Sequence, residues 1–281
     1  MAYDNVPRLN SFSLGDFHNA EKCFFDFLVK HHLQKRYEIE DGNKNLTIGS
    51  VLDLVMKIIH RSKAYDQPLD YILTAIFSAA EREIRTSVEK KGPQSFYGAT
   101  AKFLNEENIN IAKEVFKNYY LKRGGKINKS IVGEKFWDLL LEGEEVLKLW
   151  GGPDSLEIGT DGVPEVVDYK YFEDVEKGKN YLDMDTMPKL YILLCASELQ
   201  KLGYEKARFR VRSWSDPLDE SLYEEFDLET VANLKDFFKY KIQQIMSIKE
   251  INFCEKEYCK SCKSDQREIW IKELRTQFNF S

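Results

Sequence analysis

The chain has 281 residues, of which 43% are hydrophobic and 31% charged, a composition typical of a folded globular protein. Its formal net charge of −6 argues mildly against a nucleic-acid-binding protein, because such proteins usually present a basic surface. No run approaches the ~20 apolar residues that a membrane-spanning helix needs, and the first residues have no secretory signal pattern. We therefore expect a cytoplasmic protein without a membrane association.

The first half of the chain shows the apolar spacing that is typical of helices. The first predicted helix follows Ser13 or Asp16, which are both suitable N-caps, and buries a face that contains Cys23. A second helix is predicted over residues 48–60. Asp53 lies in its first turn, next to its apolar stripe, where an acidic residue usually does no more than favour the helix dipole.

Residues 65–125 are predicted to be helical, with helices over residues 69–88 and 106–122. An Arg-Gly-Gly sequence at residues 123–125 is a typical end for the second of these helices. The region has no spacing that indicates catalytic groups. We therefore expect a helical insertion that packs on the domain and shapes the substrate site.

After residue 129 the pattern changes to strands alternating with helices. Helices that flank one mixed sheet make an α/β domain. The predicted elements are strands at residues 131–137, 146–150 and 207–214, and helices at residues 183–202 and 228–248.

A predicted hairpin between the second and third of these strands carries the most informative pattern. Asp154 follows a Gly-Gly-Pro turn, and an apolar strand ends in Asp168-Tyr169-Lys170. Since alternate residues of a strand share a face, Asp168 and Lys170 point to one site, and Tyr169 can offer its backbone carbonyl. We predict that Asp154, Asp168 and that carbonyl bind Mg²⁺ or Mn²⁺, and that Lys170 positions a water for phosphodiester hydrolysis. The alternative is a surface hairpin with a weak ion pair.

The strand at residues 207–214 alternates strictly, which places Arg208, Arg210 and Arg212 on one face. These arginines are candidate contacts to substrate phosphates. The alternative is an exposed strand face without a ligand.

The hairpin resembles the PD-(D/E)XK nuclease superfamily, and within it the RecB-like branch of CRISPR-associated and AddB-type exonucleases. The sequence around Asp154 is similar to the G-x-D motif of that branch, and residues 168–170 match its D-x-K motif. The resemblance implies a restriction-endonuclease-like α/β fold: a mixed central sheet flanked by helices, with an N-terminal helical region. It also implies one RecB-like nuclease domain over residues 1–281, with the insertion at 65–125, and metal-dependent cleavage of DNA.

Two positions depart from the RecB-like pattern. Asp53 stands where the branch has a histidine, and we expect it to assist as a metal ligand. Met187 replaces the glutamine of a Q-x-x-x-Y motif, which leaves Tyr191 as the predicted substrate contact.

The resemblance implies an exonuclease at DNA ends, working with a helicase or within a CRISPR or repair complex. One alternative is a catalytically weak or inactive DNA-end-binding subunit of a repair or defence complex. Another is an enzyme of the same fold that acts on RNA or on a different phosphodiester.

Three cysteines close to the carboxyl end form the pattern Cys254-x4-Cys259-x2-Cys262, whose thiolates suit a soft metal. The resemblance implies a [4Fe–4S] cluster held by these three and by Cys23. Here the third cysteine precedes the C-x2-C pair, whereas it usually follows it. A zinc ion at the same four residues and a set of free thiols remain the alternatives, and Cys23 alone could be a small buried apolar residue.

Overall fold

A computed structural model of the chain describes residues 11–31, 33, 44–91, 97–131, 137–141, 147–171, 186–218, 221–248, 251, 253–254 and 259–278. The chain divides into two compact units. The first unit contains Met1–Tyr37, Trp137–Gly151 and Ala232–Ser281, and the second contains Glu38–Phe136 and Gly152–Val231. The single domain over residues 1–281, with an insertion at 65–125, stays a prediction.

The elements are numbered here along the chain. The strands are β1 (Ser11–Ser13), β2 (Trp137–Leu141), β3 (Leu147–Gly151), β4 (Ser155–Ile158), β5 (Pro164–Lys170), β6 (Lys206–Ser213) and β7 (Tyr223–Asp227). The helices are α1 (Leu14–Lys22), α2 (Phe24–His31), α3 (Lys44–Ser62), α4 (Leu69–Tyr71), α5 (Phe77–Lys91), α6 (Gly98–Lys102), α7 (Glu106–Lys122), α8 (Thr186–Lys201), α9 (Leu234–Met246), α10 (Lys260–Lys263) and α11 (Arg267–Phe278). A π-helical turn, Ile72–Ile76, joins α4 to α5, and a 3₁₀ turn, Val231–Asn233, precedes α9.

The first unit has a three-stranded mixed sheet, in which β3 pairs with β1 in parallel and with β2 in antiparallel orientation. Ser13 caps α1, because its N–H and its hydroxyl donate to the Asp16 carboxylate at 2.6 and 2.8 Å. The helix then breaks at Cys23, whose backbone is extended, and α2 begins at the next residue. This break separates the one predicted helix into two.

The second unit has a four-stranded mixed sheet with the order β4-β5-β6-β7, in which only the β5–β6 pair is parallel. Helices α3, α5 and α7 share one apolar core with Val167, Tyr169 and Trp214. Helix α8 packs on β5 and β6, with the rings of Tyr191 and Phe209 6.0 Å apart. The predicted fold class is confirmed: both sheets are mixed and accompanied by helices, consistent with a restriction-endonuclease-like α/β fold.

Several predicted boundaries differ from the observed ones. Residues 132–136 of the first predicted strand lie outside the described residues, and β2 runs over Trp137–Leu141 instead. Strand β7 was not predicted, because its Tyr-Glu-Glu-Phe-Asp sequence is largely charged and exposed. The last long helix begins at Leu234, six residues after its predicted start. No helix among the described segments has the length and apolar character that crossing a bilayer requires.

Candidate active site

Strand β5 positions Asp168 and Lys170. The strand is buried from Pro164 to Tyr169, and its side chains emerge only at its end. Asp168 is 4% exposed, and its Oδ2 lies 2.6 Å from Lys170 Nζ. Because successive residues of a strand face opposite ways, Tyr169 projects to the other side of the sheet. There its ring stacks on Trp214, with the ring centroids 5.1 Å apart.

The turn before β4 brings Asp154 beside this strand end. The Asp154 N–H donates to the Val167 carbonyl at 3.0 Å, and the Tyr169 N–H donates to Asp154 Oδ2 at 2.8 Å. Gly162, in the turn that joins β4 to β5, has a φ of +85°, a conformation that glycine adopts without strain. The structure therefore brings together Asp154, Asp168 and Lys170, as the hairpin interpretation predicts.

Helix α3 adds a third carboxylate. A Cβ built on Gly49 would lie 3.7 Å from the Tyr171 Cβ, so the helix runs close to the chain that leaves β5. One turn later, Asp53 Oδ1 is buried and has no hydrogen-bond partner among the described residues. Burial, reinforced by the negative charge of Asp154, raises the pKa of Asp53 to about 8. Such a carboxylate gains from a bound cation.

Lys57 is a member of the site that the sequence interpretation missed. It lies one further turn along α3, and its Nζ is 3.8 Å from Asp154 Oδ1. The spacing of Gly49, Asp53 and Lys57, four residues apart each time, places all three on one helix face. That spacing is the signal by which the sequence could have indicated Lys57.

The charges of the site favour a cation. Burial raises the pKa of Asp168 to about 6, with Asp154 adding to the rise and Lys170 opposing it. Burial alone would lower the pKa of Lys170, but the carboxylates of Asp168, Asp154 and Asp53 outweigh it and hold the pKa above its ordinary value. Lys170 is therefore an ammonium group.

The donor set suits a hard divalent ion, because Mg²⁺ and Mn²⁺ prefer carboxylate and carbonyl oxygens. The orphaned, buried Oδ1 of Asp53 is an observation that fits such an ion. The three aspartates do not form a closed cage. Among the described residues, only a group of four cysteines has ligand atoms that all lie within 4.8 Å of one another. An open set of carboxylates remains suitable for Mg²⁺, which keeps several of its waters.

Comparison with known proteins decides the family. The sequence model of the PD-(D/E)XK nuclease superfamily matches residues 11–267. The chain belongs to the PD-(D/E)XK nuclease superfamily. Membership implies nuclease activity that depends on a divalent metal.

Other comparisons add little. No curated protein matches the chain. A crystal structure of SSO0001 is 13% identical, with coverage of 70% of this chain and 87% of that chain and a TM-score of 0.25. The structure of Scheffersomyces stipitis Rai1 in complex with (3'-NADP)+ and calcium ion is 12% identical, with coverage of 97% and 72% and a TM-score of 0.22. Both scores are too low to bear on the fold or the function.

Tyr191 lies over the face of the sheet that carries Asp168. Its ring is 6.0 Å from that of Phe209, which pairs in register with Val166, two residues before Asp168 on β5. Burial raises the pKa of its hydroxyl, and the charge of Asp168 adds to the rise. Met187, one turn earlier on α8, is 3% exposed and offers no polar group in place of the glutamine. The substrate-contact role of Tyr191 stays a prediction.

The three arginines of β6 lie on the other face of the sheet. Arg212 pairs in register with Tyr169, so it shares the face that turns away from Asp168 and Lys170. Arg210 and Arg212 are 4% and 3% exposed, which makes the alternative of an exposed strand face wrong for both. Arg208 is bound to Asp161 at 2.6 Å and to Glu225 at 3.0 Å. Their assignment as phosphate contacts stays a prediction.

The four predicted cysteines meet in the first unit. The Cys23 Sγ lies 3.5 Å from Cys262 Sγ and 3.6 Å from Cys259 Sγ, and the Cys254 and Cys262 sulfurs are 3.9 Å apart. Four thiolates around one tetrahedral ion stand about 3.8 Å apart if each metal–sulfur bond is ~2.3 Å. Burial raises the pKa of Cys259 to about 12, so a thiolate there needs a bound cation. The group can hold a metal, and its sulfur spacing matches a single ion.

Proposed function

We propose that the chain is a Mg²⁺- or Mn²⁺-dependent deoxyribonuclease of the RecB-like branch that acts as an exonuclease on DNA ends. One observation supports the proposal: Asp154, Asp168 and Lys170 lie together at the end of β5, and α3 carries Asp53 one turn from Lys57, which lies 3.8 Å from Asp154. The motifs that contain Asp154 and Asp168 also resemble the G-x-D and D-x-K motifs of that branch. Superfamily membership supports the nuclease part of the proposal, and the RecB-like motifs support the DNA-end part.

Each residue has a defined task in this proposal. Asp154 and Asp168 hold the divalent ion, with the Tyr169 carbonyl and Asp53 as further ligands. An ion held by these residues would supply an activated water and positive charge for the phosphate. Lys170, as an ammonium group, positions the attacking water and stabilises the charge that develops on the phosphate. Tyr191 positions the nucleotide, and Arg208, the least buried of the three β6 arginines, is the proposed contact to a more distant phosphate.

The biological setting is part of the same proposal. The RecB-like resemblance favours DNA with single-stranded or unwound ends as the substrate, and a helicase or a CRISPR or repair complex as the partner. A cytoplasmic location completes it. The substrate and the partner rest on the resemblance and on no contact in the structure.

A second candidate function is a DNA-end-binding subunit that cleaves weakly or not at all. The buried, apolar Met187 favours it, because a thioether cannot make the polar contacts of the glutamine it replaces. Under this alternative the fold binds DNA and the carboxylates no longer support turnover.

We propose that the four-cysteine group holds a structural metal centre. The RecB-like resemblance implies a [4Fe–4S] cluster, and the sulfur spacing of 3.5–3.9 Å favours one zinc ion. Iron, sulfide and zinc analysis of anaerobically purified protein separates the two. Four irons with a brown colour support the cluster, one zinc supports the single ion, and protein that lacks both contradicts a metal centre.

The function is tested with end-labelled DNA in EDTA, Mg²⁺ or Mn²⁺. Linear single-stranded and double-stranded DNA, circular single-stranded DNA and RNA are compared in parallel. We expect cleavage of linear DNA with either ion, none in EDTA and none of the circle. Cleaved circles contradict exonuclease action, and cleavage of RNA alone contradicts the DNA assignment. Binding without cleavage in every metal supports the inactive subunit. Asp66→Asn, at an exposed ion pair with Lys129, is the matched control for Asp168→Asn.

A further inference from the structure

We propose that Lys57 is a second catalytic lysine, which binds the reacting phosphate and limits the site to one divalent ion. This inference rests on the proposed nuclease function and assigns a residue that lies outside the two motifs.

The position of Lys57 is fixed by α3. Asp53 and Lys57 are four residues apart on a helix, so their side chains are neighbours on one face. Asp53 lies one turn before Lys57 on α3, and Lys57 Nζ is 3.8 Å from Asp154 Oδ1, so this helix face is turned toward the site. The Lys57 side chain is 25% exposed, so it is largely covered and still in contact with solvent. A phosphate that reaches the aspartates therefore also reaches Lys57.

The contact with Asp154 shows what Lys57 does to the metal site. Asp154 Oδ2 accepts a hydrogen bond from the Tyr169 N–H, and Lys57 Nζ lies 3.8 Å from the other oxygen, Oδ1. At that distance the interaction is an ion pair and not a hydrogen bond. A second divalent ion that used Oδ1 would lie beside an ammonium group, and the two cations would repel each other.

The total charge leads to the same conclusion. Three carboxylates, Asp53, Asp154 and Asp168, and two lysines, Lys57 and Lys170, belong to the site. With all three carboxylates ionised, as cation binding requires, the site carries one net negative charge, which one divalent ion more than neutralises. Phosphoryl transfer with two ions uses the second to stabilise charge on the phosphate. In this chain the Lys57 ammonium group supplies that positive charge.

The first test counts metal ions and does not need activity. Mn²⁺ binding is measured by calorimetry for the whole chain, and the ions of this site are those lost in an Asp154→Asn, Asp168→Asn double variant. We expect one such ion in the wild type. We expect Lys57→Gln to bind Mn²⁺ about tenfold more tightly, because the substitution removes a positive charge ~4 Å from a ligand oxygen and so lowers the repulsion of the metal ion. Two site ions in the wild type, or unchanged affinity in Lys57→Gln, overturn the proposal.

The second test measures turnover at saturating Mn²⁺. We expect kcat to fall about 100-fold in Lys57→Gln, the effect typical of one removed charge-stabilising group, and to recover largely in Lys57→Arg. If Lys57→Gln is unstable, Lys57→Met is measured in its place, because methionine keeps the apolar part of the side chain. Arg61→Gln is the control, because Arg61 lies one turn further on α3 in an exposed ion pair with Glu83. Wild-type kcat in Lys57→Gln, or in Lys57→Met measured in its place, contradicts the proposal. If the wild type cleaves no substrate, the nuclease proposal fails, while the ion count still tests Lys57.

Discussion

Two charged clusters lie on the same four-stranded sheet, and they differ in how their charges are paired. On one face Arg212 lies 3.2 Å from Glu157 and 2.7 Å from Glu165, and Arg210 lies 2.7 Å from Glu165. Two acids therefore balance two arginines. At the active site, three aspartates outnumber two lysines, and the pKa values of Asp53 and Asp168 are raised.

Strand β5 contributes to both clusters, because its successive side chains point to opposite faces of the sheet. Glu165 and Tyr169 face the balanced cluster, where the Tyr169 hydroxyl donates to Glu157 Oε1 at 2.5 Å. Asp168 and Lys170 face the active site. Asn128 Nδ2 also donates to Glu157 Oε2, at 2.7 Å, so both Glu157 oxygens are occupied. We infer that the balanced cluster has a structural role, since removing one partner of a buried ion pair is destabilising. We infer that the unbalanced cluster binds a cation and a phosphate.

The largest predicted effect is on activity. Lys170→Met should lower kcat by about 10³-fold, because it removes the ammonium group that stabilises the phosphate. Mn²⁺ affinity should not fall, since lysine is not a ligand. Kinetics and calorimetry on one preparation check both statements. Loss of metal binding together with activity would show instead that Lys170 organises the carboxylates.

The next effect is on stability. Arg212→Met should lower the free energy of unfolding by about 3–5 kcal/mol, because it leaves Glu157 and Glu165 buried with less positive charge. Chemical denaturation measures the change. The folded fraction should keep its metal affinity, since Arg212 faces away from the site. An Arg212→Met protein with normal stability but without activity would reverse the roles assigned to the two clusters.

A smaller effect is expected in the first unit. Cys259→Ser should remove the bound metal and lower the unfolding midpoint, because a metal site that forms only on folding contributes to stability. Cys195→Ser is the matched control, since Cys195 is buried in the second unit. Metal content and thermal unfolding are measured together. Equal midpoints for the two variants would contradict a structural metal.

The smallest effect is expected at Arg208. Its side chain already pairs with Asp161 and Glu225, and an exposed ion pair contributes little. Arg208→Gln should weaken DNA binding less than about threefold. It should reduce the slope of log affinity against log salt concentration by no more than one phosphate contact contributes. Fluorescence anisotropy at several salt concentrations checks this. A tenfold loss would make Arg208 a principal DNA contact.

The sequence predicts the centre of the site because its signals are local. The turn before Asp154 and the alternation at Asp168 and Lys170 both lie within one hairpin. Lys57 was missed because its partner, Asp154, is distant along the chain and only the fold brings α3 to β5. The alternation of the β6 arginines was predictable, but which face they take depends on Glu157 and Glu165, which are informative only once the strands are paired.

The same limit applies to the cysteines and to the first helix. The spacing of Cys254, Cys259 and Cys262 indicates a metal site by itself. The distance between Cys23 and these residues depends on tertiary structure, including the helix break at Cys23, which apolar periodicity does not indicate. Local motifs are therefore predictable here from the residues themselves, whereas Cys23 was predicted only through the family resemblance and Lys57 was missed.

The most direct test of the central claim is Asp168→Asn, with DNA cleavage and thermal unfolding measured on the same sample in Mn²⁺ and in EDTA. We expect no cleavage product in Mn²⁺. We also expect an unfolding midpoint in EDTA about 2–4 °C above the wild type, the shift for ~1 kcal/mol in a chain of this size, because a buried carboxylate with a raised pKa has been neutralised. Wild-type cleavage by Asp168→Asn, or loss of cleavage accompanied by a lower midpoint in EDTA, would contradict the central claim.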